Sequence, residues 1–332
     1  SYSGQVYGEF RSKENDNSYT VGVNYPIGDY SVVGVYLNRP LPFIVSADVL
    51  EDVRVDQTTD VFYGTQMSQF DLGFKLSLGM DSYKRDSLAE SPELKESARY
   101  IQFAAGVSSD KMDIGAFVEL PHAKVELSGE NETWSGFGFG AIGRMFHGEG
   151  PTKLVPLIAF NTRKITDKIS VTGSPEEEFS DLNLGLGVGV NHQLNENSLL
   201  VGAVELFGLE QSKDKYTSGG TPSSTATTTI SRTTLPGLYM GLESKIRPWL
   251  TGRLGAAQVW QVFKTKDEST GNPAEETTER GTQYNVSFGL GFNFGDFTCD
   301  AAINEGIFFD GPNFISGETN SLANRLAVIY KF

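Results

Sequence analysis

The sequence predicts an all-β chain closed into a transmembrane antiparallel up-and-down β-barrel of about 16 strands, and three observations predict it. Long segments alternate strictly between apolar and polar residues. The links joining those segments alternate between short and long. The last eleven residues, LANRLAVIYKF, form one more alternating segment that ends on an aromatic side chain.

The alternation is plainest in three places. In Gln69–Met80, Phe70, Leu72, Phe74, Leu76, Leu78 and Met80 share one face, opposite Gln69, Asp71, Gly73, Lys75, Ser77 and Gly79. Leu182, Leu184, Leu186, Val188 and Val190 oppose Asn183, Gly185, Gly187, Gly189 and Asn191. In Gln283–Gly295, Tyr284, Val286, Phe288, Leu290, Phe292 and Phe294 oppose residues that are polar or glycine. A strand shows successive side chains to opposite faces, so each segment has one greasy and one polar side. Strands of soluble sheets typically run about 5–6 residues. These run eleven to thirteen, long enough to cross a bilayer at a tilt. Weaker strands are predicted at 3–12, 18–26, 30–38, 98–108, 111–120, 134–146, 153–165, 197–210, 232–247, 250–265 and 297–309. Glu205 and Gln258 interrupt two apolar rows, and a bulge would explain either.

Counting back from Phe332, short links fall at Gly295–Phe297, Arg247–Trp249, Leu194–Glu196, His147–Thr152 and Ser108–Asp110. Longer links fall at Asp310–Ser321, Lys266–Thr282, Gln211–Ser231, Ile165–Ser180, Pro121–Thr133 and Asp81–Ser97. A Greek-key sandwich has no reason to alternate in this way, whereas a membrane barrel has short turns at one end and longer loops at the other. Parity then asks for a descending strand in Ile44–Val55 and a turn near Thr58–Gln66. The whole of 1–332 reads as one barrel domain, with 39–67 either a strand plus a turn or an inward plug; the plug would reduce the barrel to about 14 strands.

Composition removes several function classes. The net charge of −15 leaves no basic footprint for nucleic acid. The single cysteine, Cys299, excludes an internal disulfide and a thiolate metal cluster. The acidic runs Glu176-Glu177-Glu178 with Asp181, and Asp81 with Asp86, lack the spacing of a calcium loop, so no metal and no cofactor is expected. Of three histidines, His122 is read at an extracellular loop and His147 and His192 near periplasmic turns, none beside a nucleophile motif; no enzyme is expected. The chain opens at Ser1-Tyr2 without a charged-then-apolar leader, the form expected of an exported protein whose signal peptide has been removed. The loops, such as TSGGTPSSTATTTIS, are too polar to order themselves by burial.

The terminal strand, with Leu326, Val328, Tyr330 and Phe332 on one face, resembles the C-terminal strand of the Gram-negative outer-membrane β-barrel superfamily. The resemblance implies that these four residues form the insertion signal read by the barrel-assembly machinery, and that outer-membrane lipid surrounds the wall. In size the chain resembles the general diffusion porins, which implies passive passage of small solutes. PHAKVEL followed by a strand of glycine and aromatics is also similar to the long-chain fatty-acid transporters, which implies gated uptake of hydrophobic substrates. A structural or partner-binding barrel, or one assembled with further copies of itself, is the third reading.

Assigning the polar rows inward places Asp71, Lys75, Asp113, Glu119, Arg144, Glu243, Lys245, Arg247, Asp300 and Arg325 on the lumen wall. Both signs appear, so these residues are expected to pair across the wall and hold the lumen hydrated rather than form a single-sign filter. The acidic balance predicts a preference for cations. Tyrosines and tryptophans near strand ends, Tyr100, Trp134 and Trp249 among them, are expected in interfacial girdles.

Overall fold

A computed structural model describes residues 4–13, 16–40, 57–84, 93–127, 130–170, 174–220, 222–303 and 323–332. Eight strands make the first half of the wall: β1 (Gln5–Lys13), β2 (Asp16–Ile27), β3 (Ser31–Pro40), β4 (Gln57–Met67), β5 (Phe70–Lys84), β6 (Glu93–Ser108), β7 (Met112–Leu127) and β8 (Glu130–Met145). Eight more complete it: β9 (Thr152–Ile169), β10 (Glu176–Asn195), β11 (Ser198–Thr217), β12 (Thr225–Arg247), β13 (Leu250–Ser269), β14 (Glu275–Phe294), β15 (Phe297–Ile303) and β16 (Ala323–Lys331). Each pairs antiparallel with its sequence neighbours, and β1 pairs with β16 to close the barrel. Closure leaves no edge strand, so every ladder has a partner on both sides.

A one-layer wall leaves its outer face uncovered, so a side chain without exposure belongs to the inner face. Asp60 and Ser77 are 0% exposed. Residues directly opposite each other in a ladder share a face, so the inner face can be followed from these two around the wall. It carries Lys75, Gln102, Glu119, Gly138, Arg163, Asp181 and Ser212, one after another from β5 to β11. The outer face carries the apolar rows, with Phe70, Phe103, Phe137, Leu254 and Phe294 all exposed. At the short-turn end Trp249 stacks on Phe292 and Phe294, with ring centroids 6.3 and 6.0 Å apart. That aromatic cluster is what an interfacial girdle requires.

The sixteen strands stand, but the fourth lies elsewhere than parity placed it. The segment read as a turn, Thr58–Gln66, lies within β4, and the turn is Ser68-Gln69, with Ser68 at a positive φ of 60°. The strand was hidden because inward Phe62 and Gly64 break the contrast with outward Val61, Tyr63 and Met67. The strand predicted within Ile44–Val55 lies outside the described residues. With 57–67 in the wall, the reduced barrel of about 14 strands falls.

Four predicted loops are largely strand. β11 runs to Thr217 and β12 starts at Thr225, so most of Gln211–Ser231 is paired. The same holds in Lys266–Thr282, Ile165–Ser180 and Pro121–Thr133. Pairing satisfies the backbone whatever the side chains, and these extensions are rich in threonine, which favours strands. Cross-strand pairs such as Lys164–Glu178 (2.8 Å) add to them. The bulge expected near Glu205 is present: the register shifts at Leu186/Gly187, leaving Leu206 as the extra residue. Tyr100 and Trp134 leave the expected girdle, since both are inward and only 3% and 2% exposed.

Gly136 shows how tightly β8 and β9 approach: a Cβ there would collide with the Lys164 carbonyl and crowd Ile165. Gly136→Val is expected to destabilise the barrel by about 1–3 kcal/mol. A Cβ at Gly185 meets nothing within 4 Å, so Gly185→Ala is expected to change stability by less than about 0.5 kcal/mol. Urea unfolding of both variants checks the contrast, and equal losses would refute it.

Candidate functional site: the inner wall

The inner wall is built from ion pairs that join neighbouring strands. On β4, Asp60 lies 3.1 Å from Lys75 Nζ on β5 and 3.5 Å from Arg39 Nε on β3. The Thr58 hydroxyl donates to it at 2.8 Å. The Lys75 ammonium also sits 5.5 Å and 5.1 Å from the ring centres of Phe62 and Tyr100, within cation–π range. Tyr100 then donates to Glu119 Oε2 at 2.5 Å, and Arg163 donates to Glu119 Oε1 at 2.5 Å. One continuous chain of contacts therefore runs Arg39, Asp60, Lys75, Tyr100, Glu119, Arg163. Gly138 makes room for it, because a Cβ there would lie 2.7 Å from Glu119 Cγ.

The other sequence-derived positions fall along the same face. Asp113 and Arg144 pair at 2.7 Å near the short turns. Arg253 bridges Glu243 (2.7 Å) and Asp300 (2.6 Å), and glycine at 291 leaves the space in which Arg253 and Asp300 meet. Arg325 reaches Glu9 at 2.6 Å across the closing seam. Asp71 faces Gln66 and Gly106, and Lys245 faces Thr251, all in inward rows. Arg247 departs: a register shift pairs it with Leu250, whose next neighbour is outward Phe292. Leu326, Val328 and Tyr330 lie on the outward row of β16, and the Phe332 amide donates to the Gly4 carbonyl at 2.9 Å.

Sequence reasoning missed Asp60, Tyr100, Arg163, Arg253 and Glu9. Parity would have found Tyr100 and Arg163, since Ile101 and Phe103 on β6, and Ile158 and Phe160 on β9, take the outward positions.

Two adjoining recesses of about 610 and 550 Å³ open over β9–β13 and reach Glu119 on β7 and Asn285 on β14. They share Asn161, Asn183, Glu210 and Arg232. Glu210 pairs with Arg232, Asn183 donates to Asn161 at 2.8 Å, and Tyr239 donates to Glu205 at 2.6 Å. The arrangement is polar, largely charge-compensated and open to water. It presents hydrogen-bond donors and acceptors to water. His122 lies in β7, not in a loop, on the outward row between Arg99 and Ser135, and His192 Nδ1 is 2.7 Å from the Thr152 hydroxyl. Among the described residues no group of three His, Cys, Asp or Glu is placed to hold a metal ion.

No family model and no curated protein matches the sequence. Among solved structures, the chain is similar to the ferric-catecholate import receptor Fiu from E. coli K12 (open form), at 8% identity and a TM-score of 0.43, covering 100% of this chain and 82% of that one. It is similar to the ferric yersiniabactin uptake receptor FyuA from Yersinia pestis at 9% identity and a TM-score of 0.39, covering 99% and 80%. The TodX monoaromatic hydrocarbon channel, as a deltaS2 mutant, is similar at 10% identity and a TM-score of 0.38, covering 100% and 91%. What this chain holds is a closed sixteen-strand antiparallel barrel, apolar outside and lined inside by paired charges.

Proposed function

We propose that this chain is an outer-membrane channel that passes small hydrated solutes, with a preference for cations. The observation that carries the reading is the division of the wall into an uncovered apolar outer face and a polar, charge-paired inner face beside an open recess. An outward apolar band asks for lipid, since only closed barrels and helices satisfy their backbones there. A wetted inner face asks for water and what water carries. The cation preference follows from two adjacent inward rows at the long-link end, where Glu177 on β10 stands above Asp214, Asp267 and Glu275 on β11, β13 and β14. A stretch of mouth lined by one sign of charge raises the local concentration of the opposite ion, and the arginines inward at the same end, Arg11, Arg39 and Arg325, are held by Glu9 and Asp60.

Planar-bilayer recording tests both parts. Steady ohmic steps are expected, with a reversal potential in a KCl gradient shifted toward that of K⁺. Anion selectivity would overturn the cation preference and leave the channel. A folded barrel that stays silent would overturn the channel itself. One observation favours a second reading in that event. The ladders of β12 skip Leu235-Pro236 on both sides, beside the extra residue Leu206, and Leu206 and Leu235 are both exposed. A local break in the wall flanked by apolar side chains suits gated uptake of a hydrophobic substrate.

A further inference from the structure

Over β5–β14 the cations at the long-link end keep to one face, whereas Arg11, Arg39 and Arg325 on β1, β3 and β16 stand inward against Glu9 and Asp60. Take as a level the inward row Lys75, Gln102, Glu119, Gly138, Arg163, Asp181. Above it, among the described side chains of β5–β14, every inward charged residue is a carboxylate, as at Glu96, Glu132 and Asp167. Every described lysine and arginine of β5–β14 above it stands on the outward face, together with Glu126, Glu176, Glu178, Glu268 and Glu276. Ion pairing alone would not keep lysine and arginine off the inner face, because mixed signs there would pair as well.

The outward cations are densest over β6–β9. Arg99 is opposite His122, His122 opposite Ser135, and Ser135 opposite Thr166. One row higher, Ser97 is opposite Lys124, Lys124 opposite Thr133, and Thr133 opposite Lys168. Cations and hydroxyls thus interleave on one face, a donor set suited to phosphate oxygens. Directly below lies the outward apolar row of Ile101, Leu120 and Phe137, with Leu120 and Phe137 exposed. Lys124 contacts Glu126, and Lys168 lies 3.2 Å from Glu176. Exposed pairs of this kind contribute little, so both lysines exchange partners readily.

We infer that this patch holds the phosphate groups of an anionic lipid in the leaflet at the long-link end of the barrel. The inference rests on the membrane orientation proposed above. A lipid whose chains lie along Ile101, Leu120 and Phe137 brings its headgroup to the height of Arg99, Lys124 and Lys168, and cations just beyond an apolar band attract anionic headgroups. Keeping the cations outward over these strands leaves that face with an excess of positive charge beside Glu126, Glu176 and Glu178, and leaves the inner face with carboxylates alone. The two faces then answer to two different ligands, lipid phosphate outside and mobile cations inside.

The test uses the full chain folded in neutral detergent, with diphosphoryl lipid A and its dephosphorylated counterpart as probes, read by native mass spectrometry. Wild type is expected to retain the diphosphoryl form and release the dephosphorylated one. Arg99→Gln/Lys124→Gln/Lys168→Gln is expected to weaken retention at least tenfold, and raised salt to weaken wild type. The inward pair Glu177→Gln/Asp214→Asn is expected to leave retention unchanged. Equal binding of both probes, or a triple variant that binds as wild type does, overturns the inference. Should the triple variant fail to fold, Arg99→Gln alone is expected to lose about threefold, and no loss from it is equally fatal. Conductance of the same preparation keeps the two readings apart, since a working channel without lipid retention removes only this one.

Discussion

Replacing Asp60 by alanine is expected to destabilise the barrel by about 3–5 kcal/mol. Asp60 is fully buried, and its carboxylate faces two cations, Lys75 at 3.1 Å and Arg39 at 3.5 Å. The decisive partner is Lys75, whose side chain keeps only 14% of its surface in water. Without the carboxylate, the ammonium remains among the Phe62 and Tyr100 rings with little solvent to take the lost partner's place. Arg39, at 31%, recovers part of its hydration. Asp60→Asn keeps the shape and the acceptor for Thr58 while losing the charge, so it falls between alanine and wild type. Asp60→Ala/Lys75→Met removes both charges and is expected to recover much of the loss, which a double-mutant cycle in urea would resolve. A loss below about 1 kcal/mol for Asp60→Ala would mean that water reaches Lys75 and that the inner wall is not held by these pairs.

The contrast between Lys75 and Asp60 also shows what the sequence made legible. Lys75 sits inside the long alternation Gln69–Met80, where six apolar residues on one face leave its own face as the inner one. A wall with an apolar outer face and a wetted inner face writes that pattern directly. Asp60 sits in β4, where Phe62 and Gly64 on the inner face blur the pattern. Partners are harder to read than faces. The pairing of Glu119 with Arg163, or of Asp300 with Arg253, depends on how far one strand slides along the next. Turn length and bulges set that register, and Leu206 changes it by one residue, where Glu205 interrupts the apolar row but does not say which residue is extra. The strand extensions were illegible for another reason: threonine-rich and charged residues pair as well as apolar ones, so no apolar–polar periodicity marks them. Trp134 and Tyr100 were assigned to the girdle because an aromatic at a strand end serves either face, and parity alone separates them.

Glu9→Ala is expected to destabilise the barrel by about 2 kcal/mol and to lower the yield of folded protein more than substitutions of similar cost elsewhere. The reason lies in the seam. β1 and β16 meet over seven residue pairs, Gln5↔Lys331 to Arg11↔Arg325, against nineteen between β10 and β11. This shortest kind of ladder joins the two ends of the chain, so it forms only after the longest loop has closed. Glu9 lies in its middle with a side chain 1% exposed, accepting from Arg325 on β16 at 2.6 Å and contacting Arg11 and Tyr7 on β1. Its loss leaves two arginines of like charge at one spot, though both keep about half of their surface in water, which limits the cost. Glu9→Gln keeps an acceptor for Tyr7 and Arg325 and is expected to lose less. Arg325→Gln leaves Glu9 with Arg11 and is expected to lose less still. Folding into lipid vesicles, followed by the gel mobility of the unheated protein, reads yield and heat stability together. The order alanine, glutamine, Arg325→Gln in both readouts would identify Glu9 as the clasp of the seam. Equal yields with lowered heat stability would instead mean that the seam closes before Glu9 is buried, and that its role begins only in the finished barrel.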